Sequence, residues 1–271
     1  DVSPIYGPFV LGEDASDLET APTCSTLYVE GDAPGDYATG CSGGVSANYD
    51  FSYVAGNFHV GKATLVVTAE SKGKLLGAAN PTLTASFTGF KNGEVLSTSD
   101  VSGEPSLTTT ATIASSVGTY PISVGPGSLA SNNYMFSFVG GTLTVTYRFD
   151  GFLQPINDTA HEQVCSDTCP ISIFKAGSTI PVKFDLKRAD GTTVSAGALP
   201  IFTGYVRGGT LNSPVTESVY TDLPTAGSTF TATGGHYQYN WSTKGLSAGY
   251  FYRIGVKLDD GTTYFVYIGL K

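Results

Sequence analysis

Apolar and polar residues alternate along much of this chain. TLVVTAES (64–71), PTLTASFTGF (81–90), LTTTATI (107–113), TYPISV (119–124), YMFSFV (134–139) and GTLTVTYRF (141–149) all carry the pattern. A period of two is that of a pleated strand with one buried face. Clusters of Gly, Pro, Asn and Ser interrupt these runs at intervals of about ten residues, and no amphipathic helical pattern exceeds two turns. Short strands at such spacing predict an all-β chain built of β-sandwiches.

The pattern also repeats at long range. NYDFSYVAGNFHV, from Asn48, and NYMFSFVGGTLTV, from Asn133, agree at seven of thirteen positions with an offset of 85. Upstream of these lines Pro22 matches Pro105, Gly35 matches Gly118, Tyr37 matches Tyr120 and Ala47 matches Ala130, while FVLGED resembles FKNGEV (90–95). Residues 1–61 therefore read as one copy and 62–146 as the next. The second copy spends 71 residues before its Asn-Tyr line and the first only 47. The shortfall corresponds to TLVVTAES and part of PTLTASF, one or two strands. A sandwich short of a strand leaves an unpaired edge. Three outcomes are open: a compacted domain dispenses with the strand, an upstream part of a longer chain supplies it, or a neighbouring molecule inserts it and builds a head-to-tail filament.

ANPTLTASFTGFKNGE, VGTYPISV and NYMFSFVGGTLTVT resemble the MBG family, small immunoglobulin-like repeats of bacterial and archaeal surface proteins. From Tyr147 onward, YRFDGFLQPIND, FKAGSTIPVKFDL and YQYNWSTKGLSAGYFYRIGVKLDDGTTYFVYIGLK resemble the PxKF domain, whose name fits Pro181, Val182, Lys183 and Phe184. The resemblance implies three segments: a shortened MBG-like repeat (1–61), a second MBG-like repeat (62–146) and a PxKF-like sandwich (147–271). It also implies tandem immunoglobulin-like β-sandwich domains in a secreted or cell-surface protein, used for spacing, display or adhesion, with no catalysis. RADGTT (188–193) and LDDGTT (258–263) read as two-residue Asp-Gly hairpin turns.

Composition narrows the function. Charged residues are 14%, well under the roughly 25% of an average globular chain. A formal charge of −9 disfavours nucleic acid and anionic membrane as partners. No apolar run approaches the ~18 residues a spanning helix needs, and the start at Asp1 reads as a mature or truncated beginning. The four cysteines in a turn-rich β-chain suit an oxidising compartment. The expected function is an extracellular structural module of a fibrous or surface protein, a stalk, adhesin or filament subunit.

Individual residues add candidates. Cys24 and Cys41 flank the turn GDAPG (31–35) almost symmetrically, at places held by Leu107 and Val124 in the second copy. Facing positions across a ladder predict a disulfide, with free buried thiols the alternative. Cys165 and Cys169 share a short polar loop and predict a local disulfide, or with His161 an incomplete zinc site. Glu30, Asp32 and Asp36 are candidate calcium ligands in EGDAPGD, with solvated turns as the alternative. No other cofactor is expected. Tyr237, Tyr239 and Trp241 fall on one face of a strand, which would either stack on glycans or fill a core. Asn157 and Asn240 begin glycosylation sequons. No elbow serine, Cys–His pairing signature or metalloprotease motif occurs, so no enzyme is expected.

Overall fold

The computed structural model describes residues 2–156, 162–163, 171–210 and 225–271. Among them the only helical segment is one 3-10 turn, Ala15–Asp17; the rest is strand and loop. The first copy holds β1 (Thr23–Thr26), β2 (Gly35–Ser42) and β3 (Gly56–Val60). The second holds β4 (Ala63–Ala69), β5 (Lys72–Leu75), β6 (Ala85–Thr88), β7 (Ser106–Thr109), β8 (Gly118–Gly125), β9 (Tyr134–Val139) and β10 (Gly141–Thr146). The last stretch holds β11 (Phe152–Leu153), β12 (Glu162–Gln163), β13 (Ile171–Phe174), β14 (Thr179–Phe184), β15 (Ile201–Thr210), β16 (Thr231–Thr233), β17 (His236–Ser242), β18 (Tyr250–Lys257) and β19 (Thr263–Leu270).

These strands form two compact units. One comprises Asp1–Ala69, Thr84–Leu107 and Ser123–Gly140; the other comprises Glu70–Leu83, Thr108–Ile122 and Gly141–Lys271. In the first unit lie a three-stranded sheet, β1-β2-β3, and a second one, β6-β4-β9. Alternation in β4 buries Leu65, Val67 and Ala69 and turns Thr64, Val66 and Thr68 outward. β4 runs parallel to β9, from Ala63 opposite Tyr134 to Thr68 opposite Val139.

The second unit contains an immunoglobulin-like sandwich. One sheet has the order β11-β14-β17-β16, the other β12-β13-β19-β18-β15. β13 runs parallel to the final strand, whereas β18 and β19 form an antiparallel hairpin. That distribution of consecutive strands between two facing sheets is the immunoglobulin arrangement. Inward side chains of both sheets share one core: Ile180, Val182 and Phe184 of β14, Tyr237, Tyr239 and Trp241 of β17, Tyr252 and Ile254 of β18, and Ile268 of β19.

β14 lies between two strands and yet contains Pro181. The register explains how a residue without an N–H is tolerated. Asn240, opposite Pro181, donates its N–H to Thr225 Oγ1 and accepts the Thr225 N–H at its carbonyl. Both groups therefore point away from β14, so Pro181 sits at a non-hydrogen-bonded pair. Its nitrogen faces the β11 side, where β11 pairs only Phe184 and Lys183.

The Asp-Gly turns differ from the two-residue expectation. In the last hairpin the Gly261 N–H donates to Leu258 O and the Leu258 N–H to Thr262 O. Gly261 has φ +87°, while Asp259 and Asp260 keep negative φ. Asp259 and Asp260 are therefore the central residues, followed by a glycine in the left-handed region: a three-residue loop with a bulge, not a type I′ turn. The turn at Gly191 repeats this arrangement, with Gly191 N–H on Arg188 O and Arg188 N–H on Thr192 O.

Candidate functional site

The first copy carries the least covered surface among the described residues. β1 and β2 pair with Cys24 opposite Cys41, and the two sulfurs are bonded at 2.08 Å. Along β2, alternation turns Tyr37, Thr39 and Cys41 to one face and Asp36, Ala38 and Gly40 to the other. On the first of these faces Tyr28 packs edge-on against Tyr37 and tilts against Phe58 of β3, with ring centroids 5.3 and 5.2 Å apart. In a complete sandwich such a face would be core. Here, Pro22 is the only buried residue between positions 2 and 61.

A tyrosine anchors each Asn-Tyr line. Tyr49 donates its hydroxyl to Glu13 Oε2 at 2.7 Å, and Tyr134 donates to Glu94 Oε2 at 2.6 Å. The same oxygens accept the N–H of Val10 and of Lys91. Each ring meets a phenylalanine edge-on: Phe9 at 5.4 Å and Phe90 at 5.7 Å. At Tyr49 the Val10 N–H favours the phenolate, but the Glu13 hydrogen bond, partial desolvation and nearby carboxylates prevail and raise the phenol's pKa. At Tyr134 desolvation leads, and the Glu94 hydrogen bond adds to it. Sequence reasoning quoted all four residues in matching stretches but did not pair them. Separations of 36 and 40 residues hide a contact that only the matched spacing in both copies could reveal.

Beside this anchor, Val2–Phe9 and Tyr49–Val54 border a groove of ≈ 630 Å³ whose floor includes Thr39 and Cys41. Its walls are apolar and aromatic, with Ile5, Tyr6, Phe9, Phe51 and Tyr53 among them. Tyr49–Ala55 joins no strand ladder, and β3 pairs only with β2.

The other candidates fall elsewhere. Asp32 caps its own turn by accepting the Val29 N–H at 2.8 Å, and Asp36 meets His59 Nδ1 at 2.7 Å on an exposed strand face. These contacts spend the carboxylates separately, and no three His, Cys, Asp or Glu converge on a cation site among the described residues. Tyr237, Tyr239 and Trp241 do share a face, and that face is the core; they are 5, 8 and 3% exposed. Phe184 stacks on Tyr237, Phe202 stacks on Tyr239, and Tyr252 meets Trp241 edge-on. The glycan platform is thereby corrected, because these rings have no face to offer a sugar. Asn240 is half-buried on β17, its side-chain oxygen accepting from Gln238 Nε2. Asn157, His161, Cys165 and Cys169 lie outside the described residues.

The MBG domain (YGX type) family matches residues 2–59 and 65–144. The chain belongs to that family. The two matched stretches carry the two tyrosine anchors, Tyr49 with Glu13 and Tyr134 with Glu94. A search of curated proteins returns no match. Among solved structures, similarity extends to extracellular domains 3–5 of Drosophila OTK, at 11% identity, covering 88% of this chain and 70% of that one, with a TM-score of 0.29. The Escherichia coli adhesin FdeC matches at 15% identity over 88% of this chain and 74% of its own, with a TM-score of 0.23. A chimeric titin Z1Z2 matches at 14% identity over 78% and 99%, with a TM-score of 0.22. No helix among the described residues is long and apolar enough to cross a membrane.

Proposed function

We propose that this chain is an extracellular structural module of a fibrous or cell-surface protein, in which MBG repeats space or display a neighbouring domain. The observation that carries this reading is the tandem match to MBG domains, one of them closed by the Cys24–Cys41 disulfide. A disulfide across a half-exposed ladder persists in oxidising surroundings and is reduced in an ordinary cytosol. Low charge and consecutive β-domains suit a stalk that holds something away from a surface. In this reading 1–61 and 62–146 are the two repeats, and 147–271 is a PxKF-like module. Pro181, Val182, Lys183 and Phe184 lie on β14 at the centre of its sheet.

The test is to locate the native protein and read its thiols together. Protease accessibility on intact cells, combined with non-reducing peptide mapping, should find the chain outside the cytoplasm with Cys24 joined to Cys41. A protease-protected cytosolic pool with both thiols free would overturn the assignment.

A further inference from the structure

The two MBG copies differ at one place, and the second shows what the first lacks. In the second copy Ala63–Leu75 covers two strand edges in succession. β4 runs parallel to β9, and β5 then runs parallel to β10, from Lys72 opposite Leu143 to Leu75 opposite Thr146. The counterparts of β9 and β10 lie 85 positions earlier, at Tyr49–Val54 and β3. Neither has such a partner among the described residues. The consequence is legible position by position. Leu143 and Val145 are fully buried, whereas Phe58 is 37% exposed and Val60 only half-buried. Tyr134 is buried and Tyr49 is not.

We propose that the open face of the first copy is an acceptor for an extended strand from another polypeptide, namely the opening strand of a further MBG repeat. It docks parallel to Tyr49–Val54 and then to β3. The chemistry of the occupant follows from the segment that fills the same place in the second copy. It is a neutral strand with apolar residues at alternate positions, as at Leu65, Val67 and Ala69, a break at Glu70–Ser71, and a short second run. Transferred by 85 positions, the register sets Ala63 of the donor against Tyr49, Thr68 against Val54 and Lys72 against Phe58. Main-chain hydrogen bonds to unpaired edges supply affinity, and alternate side chains entering the groove supply selectivity. The inference goes beyond the stalk reading and does not depend on it, since an acceptor face acts wherever the protein resides.

The full chain is titrated with a synthetic peptide spanning residues 62–76, and amide exchange is followed residue by residue. Peptide at about ten times its Kd should slow exchange roughly tenfold at the outward amides of β3 and at Tyr49–Val54, with β9 and β10 unchanged. A spin label at the peptide's N-terminus should broaden Tyr49 rather than Val60, as the parallel direction requires. A peptide with Leu65→Asp and Val67→Asp, and one of scrambled order, should leave exchange unaltered. Absence of protection, or equal protection by the scrambled peptide, would overturn the proposal. So would concentration-dependent protection of the same amides without peptide, which would assign the face to a second copy of this chain. Phe58→Asp in the acceptor should abolish binding. Should that variant lose its sheet, the peptide variants still decide the question on the unaltered protein.

Discussion

Tyr134 joins a donor, a carboxylate and an aromatic edge at a single buried ring. Removing its hydroxyl leaves Glu94 and the Lys91 N–H without their shared partner. Hydrogen bonds involving a charged group contribute about 1.5–3 kcal/mol, so Tyr134→Phe should lower unfolding stability by on the order of 1–2 kcal/mol, measured by denaturant titration. Tyr49→Phe removes the same bonds from a half-exposed ring, where water replaces them, and should cost less. Gly261 is a backbone case. Its φ of +87° is hostile to branched side chains, yet a Cβ there would touch nothing within 4 Å. Gly261→Val should therefore cost about 1 kcal/mol or more through conformation alone, and Gly261→Asn clearly less, since Asn tolerates that region. Equal melting temperatures for both variants would show that packing, not φ, governs the position. Tyr147 gives a pH signature. Burial first, then the Asp259 carboxylate, push its phenol up to about 12. The folded state thus holds that proton more tightly than the unfolded chain, whose tyrosines titrate near ~10. The stability Tyr147 contributes is complete below about pH 10 and declines as pH climbs toward 12. Comparing wild type with Tyr147→Phe in denaturant titrations across that window isolates the effect, and the variant should lack the extra decline.

At the scale of elements, β1-β2-β3 is a sheet whose inner face has little to pack on. Its covalent link compensates for this. The second copy places Leu107 and Val124 where the first has Cys24 and Cys41. A cross-link closing a separation of 17 residues removes unfolded-state entropy equivalent to roughly 3 kcal/mol. Replacing the pair by the second copy's residues, Cys24→Leu with Cys41→Val, should free β1 and β2 to exchange amide protons in the otherwise intact chain; unchanged protection there would show that packing alone holds the sheet. How far such features were legible varied with the kind of information each needs. The alternation in TLVVTAES, YMFSFV and GTLTVTYRF located β4, β9 and β10 because period and burial coincide there. The same period placed Tyr237, Tyr239 and Trp241 on one face but could not say which face. That depends on Phe184 and Phe202, which lie on other strands. An Asp-Gly pair marked both hairpins, but it serves two loop types, and the pairing of Leu258 with Thr262 selects between them. The missing strand was visible as a length difference between copies. Its consequence, an exposed Phe58 where the second copy buries Leu143, needed coordinates.

Across the whole molecule, stability is unevenly distributed. Between positions 2 and 61 the only buried residue is Pro22. The last stretch, in contrast, closes a continuous core in which Phe174, Ile180, Phe184, Ile254 and Leu270 are wholly inaccessible. Apolar burial is the main favourable contribution to folding, at about 25 cal/mol per Å², and small domains without a core depend on cross-links or partners. The first copy should therefore unfold at lower temperature than the sandwich of residues 147–271, in a separate step sensitive to reductant. The sequence supplies a selective reporter, because the only tryptophan, Trp241, is 3% exposed within that later core. Tryptophan emission should stay native through the first step and change only in the second, while exchange at β1, β2 and β3 reports the first. Adding a reductant should lower the first midpoint and leave the tryptophan midpoint in place. A donor-strand peptide should raise the first midpoint and likewise leave the second unmoved, as expected for a ligand that binds one folded element. A single transition seen alike by both probes, with and without reductant, would mean that the open repeat draws its stability from the same cooperative unit as the core around Trp241.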